Sequence, residues 1–274
     1  MVTNFHMPPV GYGPGSQPED DSFDYMSMPQ DMRTFTAHFP EVDDVSGLGA
    51  ALGLMAEVAN AADRVARGGA PERFDLSTLD AANRGLIAET MGEGEVAMKI
   101  RGVPAIRVQE SVFAGIWGLG AAGMDVIEVA QAPAQAKARA FEPVRPATPD
   151  GAGMGVVNAP PLLVELLDKS GNYRASRNVH VVNLTLLPHT EGDLAWLDKR
   201  LGLGSTDILS RGYGNCRVTA TATPHVWRVQ FFNSMDTLIL DTFEVTDMPE
   251  VAIAAGEDLA DSAARLRDVL EAIR

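Results

Sequence analysis

Cysteine is nearly absent from this chain: Cys216 is the only one in 274 residues. A lone thiol excludes an intrachain disulfide, a Cys-ligated zinc site and a self-held iron–sulfur cluster, each of which takes several thiolates. Positive charge is also scarce. With 22 Lys and Arg against 37 Asp and Glu, the net charge of -15 repels a phosphate backbone or an anionic lipid surface, so nucleic acid is not an expected partner. No run of about 18 apolar residues occurs, so membrane insertion is not expected. The opening MVTNFHMPPV has neither the basic nor the apolar region of an export signal, which points to a cytoplasmic protein. The five histidines form no H-E-x-x-H and no i, i+4 pair, so no metal site is expected.

What is present is apolar patterning sufficient for one or two cores, at 46% hydrophobic residues. Residues 1–44 stand apart from it. They carry eight acids against the single base Arg33, are rich in Pro, Gly and Met, and show neither helical nor strand period, which predicts a disordered acidic tail. A second Pro/Gly-rich stretch divides the remainder, giving a first domain over 45–142, a linker over 143–160 and a second domain over 161–274.

The two domains are related in sequence. Placing 86–117 over 196–227 without a gap aligns Gly92 with Gly202, Gly94 with Gly204, Arg101 with Arg211, Gly102 with Gly212, Arg107 with Arg217, Val108 with Val218 and Trp117 with Trp227. Glu128, Val129 and Pro133 then match Glu244, Val245 and Pro249 at an offset six residues larger, so the second copy has a longer hairpin. Each copy reads helix, strand, helix, strand meander, helix. In the second, HVVNLTLLP reads as one strand, Thr190 and Asp193 cap a helix, and STDILSR, NCRVTATAT, HVWRVQFFNS and DTLILDTFEV have strand composition. Leu259, Leu266, Val269, Leu270 and Ile273 then recur at helical spacing. The expected class is α+β or mixed α/β, two diverged tandem copies with sheets covered by helices.

GLGAAG at 118–123 matches a dinucleotide fingerprint, but that motif needs a helix after it and MDVIEVA reads as a strand, so a hairpin turn is expected and no cofactor. Cys216 is the one candidate reactive thiol, with His225 nine residues on as its base if a hairpin joins them. The competing reading is a small hydrophobe packed in a strand. Around it, SRGYGNCR keeps the first copy's Arg-Gly and Arg-Val frame but adds polar and aromatic groups to the turn. The candidate partner-binding residues are therefore Arg211, Tyr213, Asn215, Arg217 and Trp227, with Asn233 and Asp236 of the neighbouring FFNSMD tip. No residue is assigned to catalysis, metal or cofactor.

LPHTEGDLAWLDKRLG, ILSRGYGNCRVTAT, VWRVQFFNSMDTLILDTFEV and PEVAIAAGEDLADSAARL together resemble the conserved C-terminal region of the HupH/HyaF hydrogenase expression/formation proteins. The resemblance implies a non-enzymatic accessory role in maturation of a membrane-bound [NiFe] uptake hydrogenase. Its implied partners are the iron–sulfur small-subunit precursor before export and other hydrogenase accessory proteins, with no cofactor and no catalytic residue. The alternative is a thiol-dependent maturation enzyme using Cys216 with His225.

Overall fold

A computed structural model describes residues 45–149, 151–175, 178–212 and 214–273. The acidic 1–44 segment and Tyr213 lie outside the described residues, and with them the expectations placed there.

The first half runs α1 (Gly49–Ala66), β1 (Glu72–Asp75), α2 (Ala81–Met91), then β2 (Val96–Ile100), β3 (Ile106–Glu110), β4 (Ile116–Ala121) and β5 (Met124–Val129), and a short α3 (Ala134–Ala138). The second runs α4 (Ala159–Gly171), β6 (His180–Asn183), α5 (Glu191–Leu201), then β7 (Thr206–Ser210), β8 (Asn215–Ala220), β9 (Val226–Phe232) and β10 (Leu238–Val245), and ends in α6 (Gly256–Ile273). The fold is α+β, with the described strands in one antiparallel sheet ordered β1-β5-β4-β3-β2-β7-β8-β9-β10-β6. That order reads alike from either edge. Its centre is the β2–β7 pair, where Met98 stands opposite Ile208.

Local chemistry repeats across that centre. The α2 N-cap Asp80 accepts from the Asn83 N–H, and the α5 N-cap Thr190 forms a capping box with Asp193. Each helix stops at a glycine with positive φ, +54° at Gly92 and +70° at Gly202, a backbone region that disfavours a Cβ. Gly94 and Gly204 follow because a Cβ there would sit 2.1 Å from the Ser111 carbonyl oxygen and 2.3 Å from that of Ala140. The Trp117 and Trp227 indoles are both fully buried and donate to main-chain carbonyls, of Ala130 at 2.8 Å and Thr246 at 3.1 Å.

Asn83 and Asp193 also tie the helices together. The Asn83 amide oxygen accepts from Ala51 N–H at the start of α1. One Asp193 carboxylate oxygen accepts from Val157, Asn158 and Ala159 N–H at the start of α4, three donors that a helix start otherwise leaves unpaired. Burial alone would raise the Asp193 carboxyl. Against that, the N–H groups of Thr190, Ala159, Val157 and Asn158 hold it well below the usual carboxylate range.

Two expected elements differ from the structure. HVVNLTLLP is not one strand: it leaves the sheet after Asn183, whose side chain accepts from Leu186 N–H and turns residues 184–186 into a single 3-10 turn, burying Leu184. The terminal helices of the halves are unequal. The first half ends in the five-residue α3, whereas the 18-residue α6 packs its Leu259, Leu266, Leu270 and Ile273 with α1 in the first half's core. The GLGAAG stretch does form a hairpin: Ala121 pairs with Met124, and Gly123 takes φ +75° in the two-residue turn.

Strand register fixes the faces. Ile116 and Val129 pack under α1, α2 and α6, while Val226, Phe243 and Val245 pack with α4 and α5 at the far end of the same face. On the opposite face Met98, Val108, Ile208 and Val218 meet Ala136, Ala140, Met248 and Ala252. The middle of the first face lies between its two helical layers.

Candidate functional site

The β7–β8 turn and the β9–β10 turn lie side by side, because β8 and β9 pair from Asn215 opposite Phe232 to Ala220 opposite Trp227. At this end of the sheet the Asn215 side-chain amide donates to an Asp236 carboxylate oxygen at 3.3 Å, joining RGYGNC to FFNSMD. Asp236 itself stands at φ +55°, a turn position that a short polar side chain tolerates. Arg211 is exposed beside them, its N–H donating to the Glu95 carbonyl.

The other candidates separate. Asn233 serves the turn itself: its side-chain oxygen accepts from both Met235 and Thr237 N–H at 2.9 Å, so it builds the tip. Arg217 leaves the tip for the open face of the sheet, where its guanidinium lies 5.0 Å from the Phe232 ring centroid. Trp227 is corrected outright. It has no exposed surface, because alternation along β9 turns it into the core with Val229, so it cannot meet a partner.

The first half's equivalent turn is held differently. Arg139 donates to the carbonyls of Arg101 and Pro104, clasping the β2–β3 turn from α3. At the second half's turn the neighbour is Glu95 instead, whose carbonyl accepts from Arg211 N–H and whose carboxylate lies against Gly212.

Cys216 and His225 are not brought together. Cys216 pairs opposite Phe231 near the start of β8, whereas His225 lies in the turn after its far end, roughly 13 Å of strand away. The thiol is 1% exposed, and burial, with Glu244 adding to it, pushes it up to about 12. At neutral pH the group is therefore the protonated thiol and not the nucleophilic thiolate. His225 has structural neighbours. Its ring stacks on Tyr173 at 4.1 Å and its Nδ1 lies 3.1 Å from an Asp247 carboxylate oxygen. It also takes φ +62° where the first half has Gly115 at +78°.

One titrating group gave no sequence signal. Glu110 is buried opposite Trp117 between β3 and β4, accepts from Gly115 N–H at 3.2 Å, and has Ala220 as its counterpart in the second half. Burial pushes its carboxyl up to about 7, with Glu95 and Asp258 adding to the shift. Among the described residues no three of His, Cys, Asp and Glu converge as metal ligands, and no helix is long and apolar enough to cross a membrane.

The model of the HupH hydrogenase expression protein C-terminal conserved region matches residues 48–142 and 156–273, one stretch in each half of the sheet. The chain belongs to the HupH family of hydrogenase expression/formation proteins. It is 63% identical to the Hydrogenase expression/formation protein HupH of Rhodobacter capsulatus over 100% of both chains. It is 32% identical to the Hydrogenase-1 operon protein HyaF of Escherichia coli K12, covering 98% of this chain and 96% of that one. Among solved structures it is similar to the hydrogenase expression protein HupH from Thiobacillus denitrificans, at 30% identity and a TM-score of 0.38, over 40% of this chain and 92% of the other. For this HupH-family chain the Asn215–Asp236 tip is the candidate partner site, and no group of side chains described above has the geometry of a nucleophile with its base.

Proposed function

We propose that the chain is a non-catalytic accessory chaperone in maturation of a membrane-bound [NiFe] uptake hydrogenase, and that it binds the iron–sulfur small-subunit precursor before export. Family membership supports the hydrogenase part of this reading. The observation that carries the binding part is the exposed tip at which Asn215 and Asp236 join two turns of the second half, while its counterpart in the first half is clasped by Arg139. A sheet end carrying exposed polar groups suits recognition of a folded or partly folded client. A protein with one buried thiol is suited to shielding a client's cluster-binding cysteines without competing for the cluster.

The test is binding of purified small-subunit precursor to the full chain and to Arg211→Ala, Asn215→Ala and Asp236→Ala, read by calorimetry beside thermal melts. Loss of at least tenfold in affinity with unchanged melts is expected for two or more of these variants, matching hot-spot truncations of about 2 kcal/mol. Unchanged affinity in all three refutes the tip as the client site, and no binding by the parent chain refutes the client.

A further inference from the structure

Among the described residues nothing covers the middle of the first sheet face, which forms a groove of about 950 Å³ whose floor is β4, β3, β2, β7 and β8. Five strands at the usual spacing make it roughly 20 Å across, the length of about six extended residues. Gly118 and Gly120 give the β4 part of the floor no side chains, and Ala97 and Leu209 make its centre apolar.

Its lining carries three cations, Lys99, Arg107 and Arg217, beside three acids, Glu93, Asp125 and Asp207, in a chain of net charge -15. Arg107 and Lys99 stand directly opposite each other on β3 and β2, both exposed, a like-charge pair with an acid on its Lys99 side only, where Asp207 stands opposite on β7. Arg217, the second-half counterpart of Arg107, supplies a third cation on β8. Among the described residues none of the three has an ion-pair partner, while two acids of the groove are already engaged, Asp207 by Arg101 and Asp125 by Arg84 at 4.0 Å. The Arg-Val pairs repeated in the sequence therefore divide by face: Val108 and Val218 fill the core, and Arg107 and Arg217 point into the groove.

We propose that this groove docks an acidic, extended segment of a partner polypeptide. Carboxylates spaced along such a segment would bridge Arg107, Lys99 and Arg217, and small apolar residues between them would lie on Ala97, Leu209 and the glycine floor. A polyphosphate backbone is a poor occupant, because it has nothing to lay on Ala97, Leu209 and the glycine floor, which small apolar side chains of a peptide cover. The site is distinct from the Asn215–Asp236 tip, and the inference stands without the small-subunit reading.

The test uses the full chain and a fluorescein-labelled peptide of about twelve alternating Glu and Ala residues, with a Lys–Ala peptide as sign control, read by anisotropy in about 50 mM and about 300 mM salt. Saturable binding of the Glu–Ala peptide alone is expected, weakening at higher salt. Arg107→Gln with Arg217→Gln should lower affinity at least tenfold. Gly120→Val should do the same with every charge retained, since a Cβ at Gly120 meets nothing within 4 Å and the fold accommodates it. Asn215→Ala should leave peptide binding within twofold, so the groove and the tip fail separately. No saturation up to about 1 mM peptide, equal binding of the Lys–Ala peptide, or full affinity in Gly120→Val overturns the proposal. Gly120→Val decides the matter even if the double arginine variant does not fold.

Discussion

Replacing Glu110 by Gln should stabilise the protein, and only above the ordinary carboxylate range. The carboxyl titrates near 7 in the fold against an ordinary 4.5, chiefly because burial beside Trp117 penalises the charged form. Below the ordinary value both folded and unfolded chains carry the proton and the group costs nothing. Between the ordinary value and the folded one the unfolded chain ionises while the fold keeps its proton, so the cost grows with pH across this window and is complete above the folded value. Each tenfold change in proton affinity corresponds to about 1.4 kcal/mol, so the full penalty is about 3 kcal/mol. Gln keeps an oxygen for the Gly115 N–H without the charge. For a domain of this size, that is a gain in Tm on the order of 6–12 °C above pH 8, shrinking to little or nothing near pH 4.5. Thermal melts of both proteins across pH 4.5–8.5 provide the measurement. A Tm difference independent of pH would refute the reasoning, because it would show that shape or hydrogen bonding, and not ionisation, separates the two side chains.

Asp193→Ala should cost about 3 kcal/mol or more, since it strands the N–H groups of residues 157–159 as well as the α5 cap, and urea unfolding should show it. The Asp193 carboxyl is held low, so its contribution is complete above the ordinary carboxylate range and lost only as pH falls into strong acid, leaving stability at pH 5–8 insensitive to this group. Cys216 should be inert to a thiol reagent in the native protein and react only on unfolding, and Cys216→Ser should retain hydrogenase maturation in cells. Fast native labelling, or loss of maturation with the fold intact, would revive the thiol-enzyme reading.

Much of the local structure is legible in the sequence because its determinants lie within a few residues of one another. Thr190 and Asp193 announce the α5 capping box, Leu259 to Ile273 the buried stripe of α6, and the residues after GLGAAG the hairpin that rules out a dinucleotide loop. The spacing of Gly92, Gly94 and Trp117 against Gly202, Gly204 and Trp227 likewise marks the same helix end, close approach and indole hydrogen bond in each half. Tertiary structure decided what depends on pairings between residues distant in the chain. Alternation along β8 and β9 shows that every second residue is buried, but which parity faces solvent depends on the layers above and below, and that choice sent Trp227 inward and Arg217 outward. Antiparallel pairing separated Cys216 from His225 by the length of a strand, although the two are only nine positions apart in sequence. The β2–β7 ladder joined the two halves into one sheet, and α6 crossed to the first half's core because the apolar stripe of α1 was there to be covered. The open groove between the helical layers is the product of those choices, and no local pattern announces it.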